Sequence, residues 1–325
     1  MKYRNIGKTG LKISEISLGA WLTYGGSVTK NQSELCVTKA IERGINFIDI
    51  ADVYARGEAE KVIGEIISEG EYERSDLVIS SKVFWPMSDN INDRGLSRKH
   101  ISESIEKSLD RLEIDYLDIY FCHRYDRYTP LEETIRTMSD LIDQGLVHYW
   151  GTSVWPAVQL ERVVWMAKEL GCHPPVVEQP RYNMLDRFIE RDVLETCHRN
   201  GMGVVCFSPL AQGILTGKYN QGKPEGSRGA TTKWLDRELT PENIEKVRKL
   251  QQIAEESEIT VSQLALAWIL RRDELSAAIT GATKPEHVES NVKAVDVNLS
   301  KAILQSIEDI LNNKPKTHPI YHPPW

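Results

Sequence analysis

The stretch "INFIDIADVYARGEAEKVIG", residues 45–64, joins a short apolar strand to a helical pattern. Phe47 and Ile48 are typical of a buried strand, but Asp49 follows them directly, and Tyr54 lies in the loop that comes next. A carboxylate at the end of a buried strand costs free energy unless it is paired or hydrogen-bonded. The stretch therefore predicts a strand–loop–helix unit that carries functional polar groups where its strand ends.

The composition is that of an ordinary globular chain. Of its 325 residues, 41% are hydrophobic and 27% are charged, so we expect one large core and a single domain over residues 1–325. The net charge of -7, without a block of Lys and Arg, argues against nucleic acid as a partner. No apolar run approaches the ~20 residues that span a bilayer. Five scattered cysteines and the lack of an apolar leader predict a cytoplasmic protein that acts on small molecules.

Eight short, β-rich apolar runs alternate with longer amphipathic patterns of helical period. The helical patterns include one that begins at Ser97 and one that begins at Thr129 and stops at Gly145. Strands that alternate with helices form parallel sheets, and eight such units predict an α/β fold, the (β/α)8 TIM barrel. The predicted strands are "EISLG" near residue 15, "NFIDI" near 46, "LVISSK" near 77, "YLDIYFC" near 116, "VHYWGTS" near 147, "VVEQ" near 176, "VVCFS" near 204 and "AAITGA" near 277.

The chain is longer than a minimal barrel, which takes roughly 250 residues. We assign the surplus to an N-terminal hairpin, a long loop after the seventh strand and a C-terminal tail helix near residues 300–311. The long loop follows Ser208 and is rich in Gly and Lys. All three segments lie between or outside the strands, so they leave the order of the barrel unchanged.

Polar residues end most of the predicted strands. In a TIM barrel the active site lies at the carboxyl ends of the strands, so these side chains should converge on one mouth. Tyr54 lies on the loop after the second strand and should join them. The residues at the ends of strands two to seven are Asp49, Lys82, His123, Ser153, Gln179 and Ser208.

Four of these side chains together suit the delivery of a proton to a developing oxyanion. A phenol with an ordinary pKa near ~10 is a poor acid at neutral pH, but the ammonium of Lys82 would favour the phenolate and lower the pKa of Tyr54. Burial would lower the pKa of Lys82, and Asp49 would hold its charge in position. His123 can donate a hydrogen bond to a substrate carbonyl oxygen.

Several other interpretations remain open at this point. Asp49 and Lys82 could form a purely structural ion pair, and His123 could be a hydrogen-bonded core histidine. Lys82 could also form a Schiff base, as in a barrel aldolase. Two further patterns carry no chemistry: "GMGVVC" at 201–206 lacks the dinucleotide glycine spacing, and the histidines of "HPIYHPPW", at positions 318 and 322, lack further metal ligands, so we predict no metal site.

The motifs "FIDIADVYARGEAEKVIG", "SSKVFW", "DYLDIYFCHR", "YWGTSVW", "FSPLAQGILTGKY" and "GATKPEHVESN" resemble the aldo-keto reductase family, in the branch that includes the potassium-channel β subunits. The resemblance implies a catalytic tetrad of Asp49, Tyr54, Lys82 and His123. It also implies NADPH as the cofactor, reduction of aldehydes or ketones by hydride transfer, and Tyr54 as the proton donor. Channel β subunits usually carry Asn in place of His123, which favours catalysis over the alternative, a redox-sensing module that binds the cofactor with little turnover.

The same resemblance implies which residues bind NADP. Ser153 and Gln179 suit the carboxamide, and Phe207 corresponds to the residue that stacks on the nicotinamide. Relatives often have Tyr or Trp there. The loop from Ser208 suits the pyrophosphate, and "GATKPEHVESN", with Pro285 in the first turn of a helix, suits the 2′-phosphate. The full predicted set is Trp21, Asp49, Ser153, Gln179, Phe207, Ser208, Pro209, Leu210, Ala211, Gln212, Lys218, Arg228, Gly281, Thr283, Lys284, His287 and Asn291.

The sequence departs from the family at the adenine end and leaves the substrate open. Ser290 stands where many relatives have Glu, and His287 stands where Arg or Gln is common. Trp21, Trp85 and Tyr125 suggest an aromatic, apolar pocket for a small carbonyl compound. The resemblance also leaves open a homo-oligomer, either a dimer or a tetramer.

Overall fold

Eight parallel strands close into a barrel in chain order, and the last strand pairs with the first. The computed structural model describes residues 1–21, 24–26, 28–70 and 72–316. The predicted TIM barrel is confirmed, and each of the eight predicted apolar runs overlaps one of its strands. These strands are β3 (Ile16–Gly19), β4 (Phe47–Asp49), β5 (Val78–Val83), β6 (Leu117–Cys122), β7 (Val147–Ser153), β8 (Val177–Gln179), β9 (Gly203–Cys206) and β10 (Leu275–Thr280).

Helices cover the outside of this barrel. The helix predicted from Ser97 begins there because the Ser97 Oγ accepts a hydrogen bond from the His100 N at 3.2 Å. The helix predicted from Thr129 begins at Leu131, after an extended Pro130. The helices are α1 (Lys30–Glu42), α2 (Glu58–Glu69), α3 (Arg98–Leu112), α4 (Leu131–Asp143), α5 (Ala157–Glu169), α6 (Val193–Asn200), α7 (Arg228–Thr231), α8 (Pro241–Glu256), α9 (Val261–Leu270), α10 (Pro285–Val292) and α11 (Lys301–Leu311).

The predicted hairpin and tail helix are both present. The strands β1 (Tyr3–Asn5) and β2 (Lys12–Ser14) pair antiparallel. Ile6 and Ile13 of this hairpin belong to the interior core of the barrel, so the hairpin closes the end opposite to the predicted site. The tail helix is α11, which buries Ile307 and Leu311. Within the described residues, we find no helix with both the length and the apolarity needed to cross a membrane.

Two apolar cores lie on opposite faces of the strands. Phe47 and Phe121 belong to the core inside the barrel. Their neighbours Ile48 and Cys122 belong to the larger core between the strands and the helices. Because successive side chains of a strand point to opposite faces, a residue two positions after an interior residue also faces inward. This alternation decides which side chains reach the mouth.

Candidate active site

The polar strand ends share the interior face of the barrel at its carboxyl end. Asp49 lies two positions after the inward-facing Phe47. His123 stands in the same relation to Phe121. The structure thus brings together five of the six strand-end residues that the sequence predicts for a catalytic mouth. The sixth, Ser208, lies half-buried in the loop beyond β9, and Phe207 takes the inward position at that strand end. The residues turned inward are Asp49, Lys82, His123, Ser153, Gln179 and Phe207, and all except the half-buried Phe207 are buried.

A buried ion pair lies at the base of the site. The Lys82 Nζ lies 2.7 Å from the Asp49 Oδ2 and also donates to the Ile50 carbonyl oxygen at 2.6 Å. The other carboxylate oxygen of Asp49 accepts from Ser80 and from the Gln179 Nε2, each at 2.9 Å. Burial lowers the pKa of Lys82 and Asp49 opposes that shift, as predicted. The carboxylate is therefore fixed from three sides.

The phenol of Tyr54 lies over this pair. The Lys82 Nζ is 4.9 Å from the centroid of the Tyr54 ring, and the ring meets His123 edge-on with 5.9 Å between centroids. Tyr54 begins a tight turn in which Ala55 and Arg56 have φ values of 49° and 55°. Such left-handed backbone costs free energy for residues other than glycine. This strained turn connects Tyr54 to α2 and fixes the phenol at the mouth.

The predicted lowering of the pKa of Tyr54 by Lys82 is wrong. Burial raises this pKa well above its usual value, the negative charge of Asp49 raises it further, and Arg124 only partly opposes them. Burial is the largest cause, and the Lys82 ammonium does not offset it because its Nζ is paired with the Asp49 Oδ2 at 2.7 Å. Tyr54 consequently remains a protonated phenol at neutral pH, which suits a proton donor.

His123 completes the mouth as a neutral imidazole. Its side chain is buried, and its Nδ1 has no hydrogen-bond partner among the described residues. Burial lowers the pKa of His123 well below its usual value, and the charges of Lys82 and Arg124 add to that shift. A neutral imidazole keeps one N–H, which can donate to a carbonyl oxygen. The ring also meets Trp85 edge-on with 6.2 Å between centroids.

Arg124 is a residue of the site that the sequence analysis missed. Its Nη1 donates to the His123 carbonyl oxygen at 2.5 Å and to the Ser153 Oγ at 3.4 Å. Its guanidinium carbon lies 5.6 Å from the centroid of the Trp85 ring. The sequence feature that could have identified Arg124 is its position immediately after the strand-end histidine, in "CHR".

Glu178 is a second missed residue, and it lies behind the mouth. Its side chain is fully buried and accepts from the Thr152 Oγ1 at 2.5 Å and from the Trp155 N at 3.1 Å. Val154, between them, has a φ of 57°, an outlier for a β-branched residue. Ser153 in turn donates from its Oγ to the Gln179 carbonyl oxygen at 2.9 Å. Glu178 thus holds the strained turn that carries Ser153.

Burial raises the pKa of Glu178 to about 7, and its hydrogen bonds oppose that shift. Between about pH 4.5 and 7 the folded protein therefore keeps a proton that the unfolded chain has lost, so its stability falls as the pH rises. Glu178→Gln cannot titrate. We therefore expect the free energy of unfolding of the variant minus that of the wild type to increase by about 2 kcal/mol from pH 5 to pH 8.

Urea denaturation at pH 5, 6.5 and 8 measures this difference. Glu195→Gln, on the exposed surface of α6, is the matched control and should differ from the wild type by the same amount at each pH. A constant difference for Glu178→Gln as well would contradict the prediction.

Phe207 and the first of the predicted pyrophosphate residues line the end of β9 and the loop after it, whereas Ser153 and Gln179 end β7 and β8. Ser208, Ala211 and Gln212 have φ values of 52°, 47° and 56°. The Ala211 N donates to the Ser208 carbonyl oxygen at 3.0 Å and the Gly213 N to the Leu210 carbonyl oxygen at 2.9 Å, so the loop is folded into tight turns. The Gln212 Oε1 is buried without a hydrogen-bond partner among the described residues. Pro209 and Ala211 are buried, and Leu210 and Gln212 are half-buried.

Three cations among the predicted cofactor residues, from the pyrophosphate loop and from the adenine end, lack acidic partners within the described chain. Lys218, Arg228 and Lys284 form no ion pair with any residue that the structure describes. Burial is the largest cause that lowers the pKa of His287, and the positive charges of Lys284 and Lys218 lower it further. Both ammonium groups therefore lie near His287, on the same side of the barrel. The guanidinium carbon of Arg228 lies 5.6 Å from the centroid of the Trp21 ring.

The helix α10 begins at Pro285 as predicted, and Lys284 is its N-cap without a side-chain hydrogen bond. Thr283 lies next to this N-terminus, and its Oγ1 is 3.4 Å from the His287 Nδ1. Asn291 is buried in the same helix, and Gly281 is exposed just after β10. The predicted cofactor residues therefore form two groups, one at the mouth and one beside α10. The histidines predicted not to bind metal, at positions 318 and 322, lie outside the described residues.

Comparisons with known proteins agree with this geometry. The family model described as "Aldo/keto reductase family" matches residues 15–312. The chain is 44% identical over 323 residues to a protein of Arabidopsis thaliana named "Probable voltage-gated potassium channel subunit beta", with 97% of this chain and 98% of the relative covered. It is 41% identical, with the same coverage, to a protein of the same name from Oryza sativa subsp. japonica.

Proposed function

The chain belongs to the aldo/keto reductase family, a family of oxidoreductases that generally use NAD(P)H, and on that premise we propose that it reduces aldehydes and ketones to alcohols with NADPH. The observation that carries the proposal is the approach of Tyr54 to both Lys82 and His123. A phenol, a paired ammonium and a neutral imidazole at one mouth suit proton transfer to a carbonyl oxygen.

The residues at the mouth and beside α10 fit a nicotinamide dinucleotide phosphate. The Gln212 side-chain oxygen is buried and unpartnered among the described residues, so it can accept from a bound group. Lys218, Arg228 and Lys284 supply positive charge that no carboxylate of the described chain neutralises. We propose that these residues hold the phosphates, with Ser208, Pro209, Leu210 and Ala211 beside them, while Ser153, Gln179 and Phe207 hold the nicotinamide.

The chemistry of the chain itself follows from the positions of the tetrad. A bound nicotinamide cofactor would supply the hydride that adds to the carbonyl carbon. His123 donates a hydrogen bond to the carbonyl oxygen and orients the substrate. Tyr54 gives its proton to the same oxygen as negative charge develops there. The positive charge of Arg124, which opposes the rise in the pKa of Tyr54, favours the phenolate that this proton transfer leaves.

A second candidate is a cofactor-binding module with little turnover. It is supported by the names of the two relatives, each of which is called a probable voltage-gated potassium channel subunit beta. One experiment separates the two proposals. Titration with NADPH, followed by nicotinamide fluorescence, tests binding, and NADPH oxidation against a panel of aldehydes and ketones tests turnover. Binding with repeated turnover supports the reductase, and binding with a single oxidation over many minutes supports the module.

NADPH should bind at least about tenfold more tightly than NADH. The physical reason is that Lys284 and Arg228 offer charge to a 2′-phosphate, and one charge-assisted contact is worth ~1.5–3 kcal/mol. Lys284→Ala should weaken NADPH by about tenfold and change NADH little. Lys293→Ala, on the exposed turn after α10, is the matched control and should leave both affinities unchanged. Equal dissociation constants for the two nucleotides at low salt would refute the preference.

We also propose that the protein works in the cytoplasm as one domain over residues 1–325. The five cysteines are all free, and four of them are buried in the cores, which suits a reducing compartment. The hairpin, the barrel and α11 share contiguous apolar cores, which supports one domain.

A further inference from the structure

The guanidinium of Arg124 lies at the mouth without an acidic partner among the described residues. From this feature we propose that the enzyme is selective for carbonyl compounds that carry a carboxylate, with Arg124 as the residue that binds it. The inference rests on the proposed reductase function and names its substrate class.

Only one of the three guanidinium nitrogens of Arg124 is used by the described protein. The Nη1 makes both hydrogen bonds, to the His123 carbonyl oxygen and the Ser153 Oγ. The Nε and Nη2 make none with the described residues. A guanidinium presents its donors as a planar fork that matches a carboxylate. The unused edge of the fork is thus free to bind one.

The charge of Arg124 is also poorly compensated. Burial lowers the pKa of Arg124, and the groups that oppose this shift are Tyr54 and Glu178, neither of which forms an ion pair with it. A half-buried cation without a paired anion costs free energy. A carboxylate brought in by a substrate would remove that cost, because it supplies the missing charge at the site where the guanidinium is already held.

The nearest acid of the same loop is committed elsewhere. The carboxylate of Asp126 accepts from the Leu96 N at 2.9 Å, and from the Tyr128 N and the Thr129 Oγ1 at 2.8 Å each. These bonds tie Asp126 to its own loop and to the segment before α3. It therefore does not compete with a substrate for Arg124.

The position of Arg124 limits the length of the substrate. The Arg124 Nη1 donates to the His123 carbonyl oxygen at 2.5 Å, and the Trp85 ring lies 5.6 Å from the Arg124 guanidinium carbon and 6.2 Å from the His123 ring. The carboxylate must therefore lie within a few bonds of the carbonyl that His123 and Tyr54 bind. Trp85, which stacks near Arg124, suits an aromatic or apolar linker. In the reaction the carbonyl carbon gains a hydride and its oxygen gains a proton, and the carboxylate is unchanged.

The test compares the 2-, 3- and 4-carboxybenzaldehydes with their methyl esters in steady-state NADPH oxidation. For at least one isomer we expect kcat/KM for the acid to exceed that for the ester by about 10- to 100-fold, or about 1.4–2.8 kcal/mol. Arg124→Met should reduce this ratio to about one. Arg124→Lys keeps the charge and loses the fork, so its ratio should be intermediate. Arg127→Met, on the exposed part of the same loop, should keep the wild-type ratio.

A binding measurement keeps the inference testable apart from turnover. Calorimetric titration of the NADP-loaded protein with 4-(hydroxymethyl)benzoate and with its methyl ester should give about tenfold tighter binding of the carboxylate, and Arg124→Met should abolish the difference. The inference would be overturned if neutral aldehydes are turned over but acid and ester have equal kcat/KM and equal binding affinity. The proposed reductase function would still hold in that case. Absence of all turnover would instead reject the reductase, and the titration would still decide whether Arg124 binds a carboxylate.

Discussion

Tyr54→Phe should lower the turnover of a good aldehyde by ~10²–10⁴, because it removes the positioned general acid and leaves the rest of the mouth in place. The ring of Tyr54 keeps its edge contact with His123 in this variant, since only the hydroxyl is lost. Lys82 remains bonded to Asp49 and to the Ile50 carbonyl oxygen. The loss should therefore appear in kcat, measured by NADPH oxidation under saturating substrate.

The matched control is Tyr128→Phe, which removes a hydroxyl from a side chain that is 90% exposed. It should retain wild-type turnover, and both variants should bind NADPH as the wild type does. More than about half of the wild-type activity in Tyr54→Phe would show that another group donates the proton. The raised pKa of Tyr54 adds a second observable: the wild-type rate should fall with pH only above the usual phenol range.

The fold could be predicted from the sequence because each strand has its own local pattern. "NFIDI" and "LVISSK" each place consecutive apolar residues on both faces before their polar ends, as parallel strands buried inside a barrel do, and each is followed by a helix of 3.6-residue period. The alternation of side chains then fixes which strand-end residues face inward. Asp49 and Gln179 meet through a 2.9 Å hydrogen bond although they are 130 positions apart in the chain.

The electrostatics of the site could not be predicted in the same way. The sign of the shift in the pKa of Tyr54 depends on burial and the charge of Asp49, which raise it, against the charge of Arg124, which lowers it, and only distances decide between them. Arg124 and Glu178 were missed for a related reason, since their roles depend on contacts with the turn at Val154 and not on a local pattern. The strained φ of Val154 has no sequence signal, because β-branched residues ordinarily avoid that conformation.

The two proposed functions differ most clearly in what His123 does. If the neutral imidazole donates to the carbonyl oxygen, then His123→Ala should lower turnover by ~10²–10³, the usual cost of losing one oxyanion donor. His123→Asn keeps a donor of shorter reach, so its loss should be smaller than that of alanine. Both variants should bind NADPH as the wild type does, because His123 faces Tyr54 and Trp85 and not the cations beside α10.

The ranking of the three proteins decides the question, with kcat measured on one small aldehyde. If the imidazole acts on the reacting oxygen, kcat should be highest in the wild type, lower in His123→Asn and lowest in His123→Ala. A purely structural histidine would change the stability of the variants, but it would not produce this ranking of kcat once the rates are corrected for the folded fraction. Thermal unfolding of each variant supplies that control. Three equal and very slow rates, with NADPH tightly bound in each, would mean that the tetrad is assembled without being used for turnover, and the cofactor-binding module would replace the reductase.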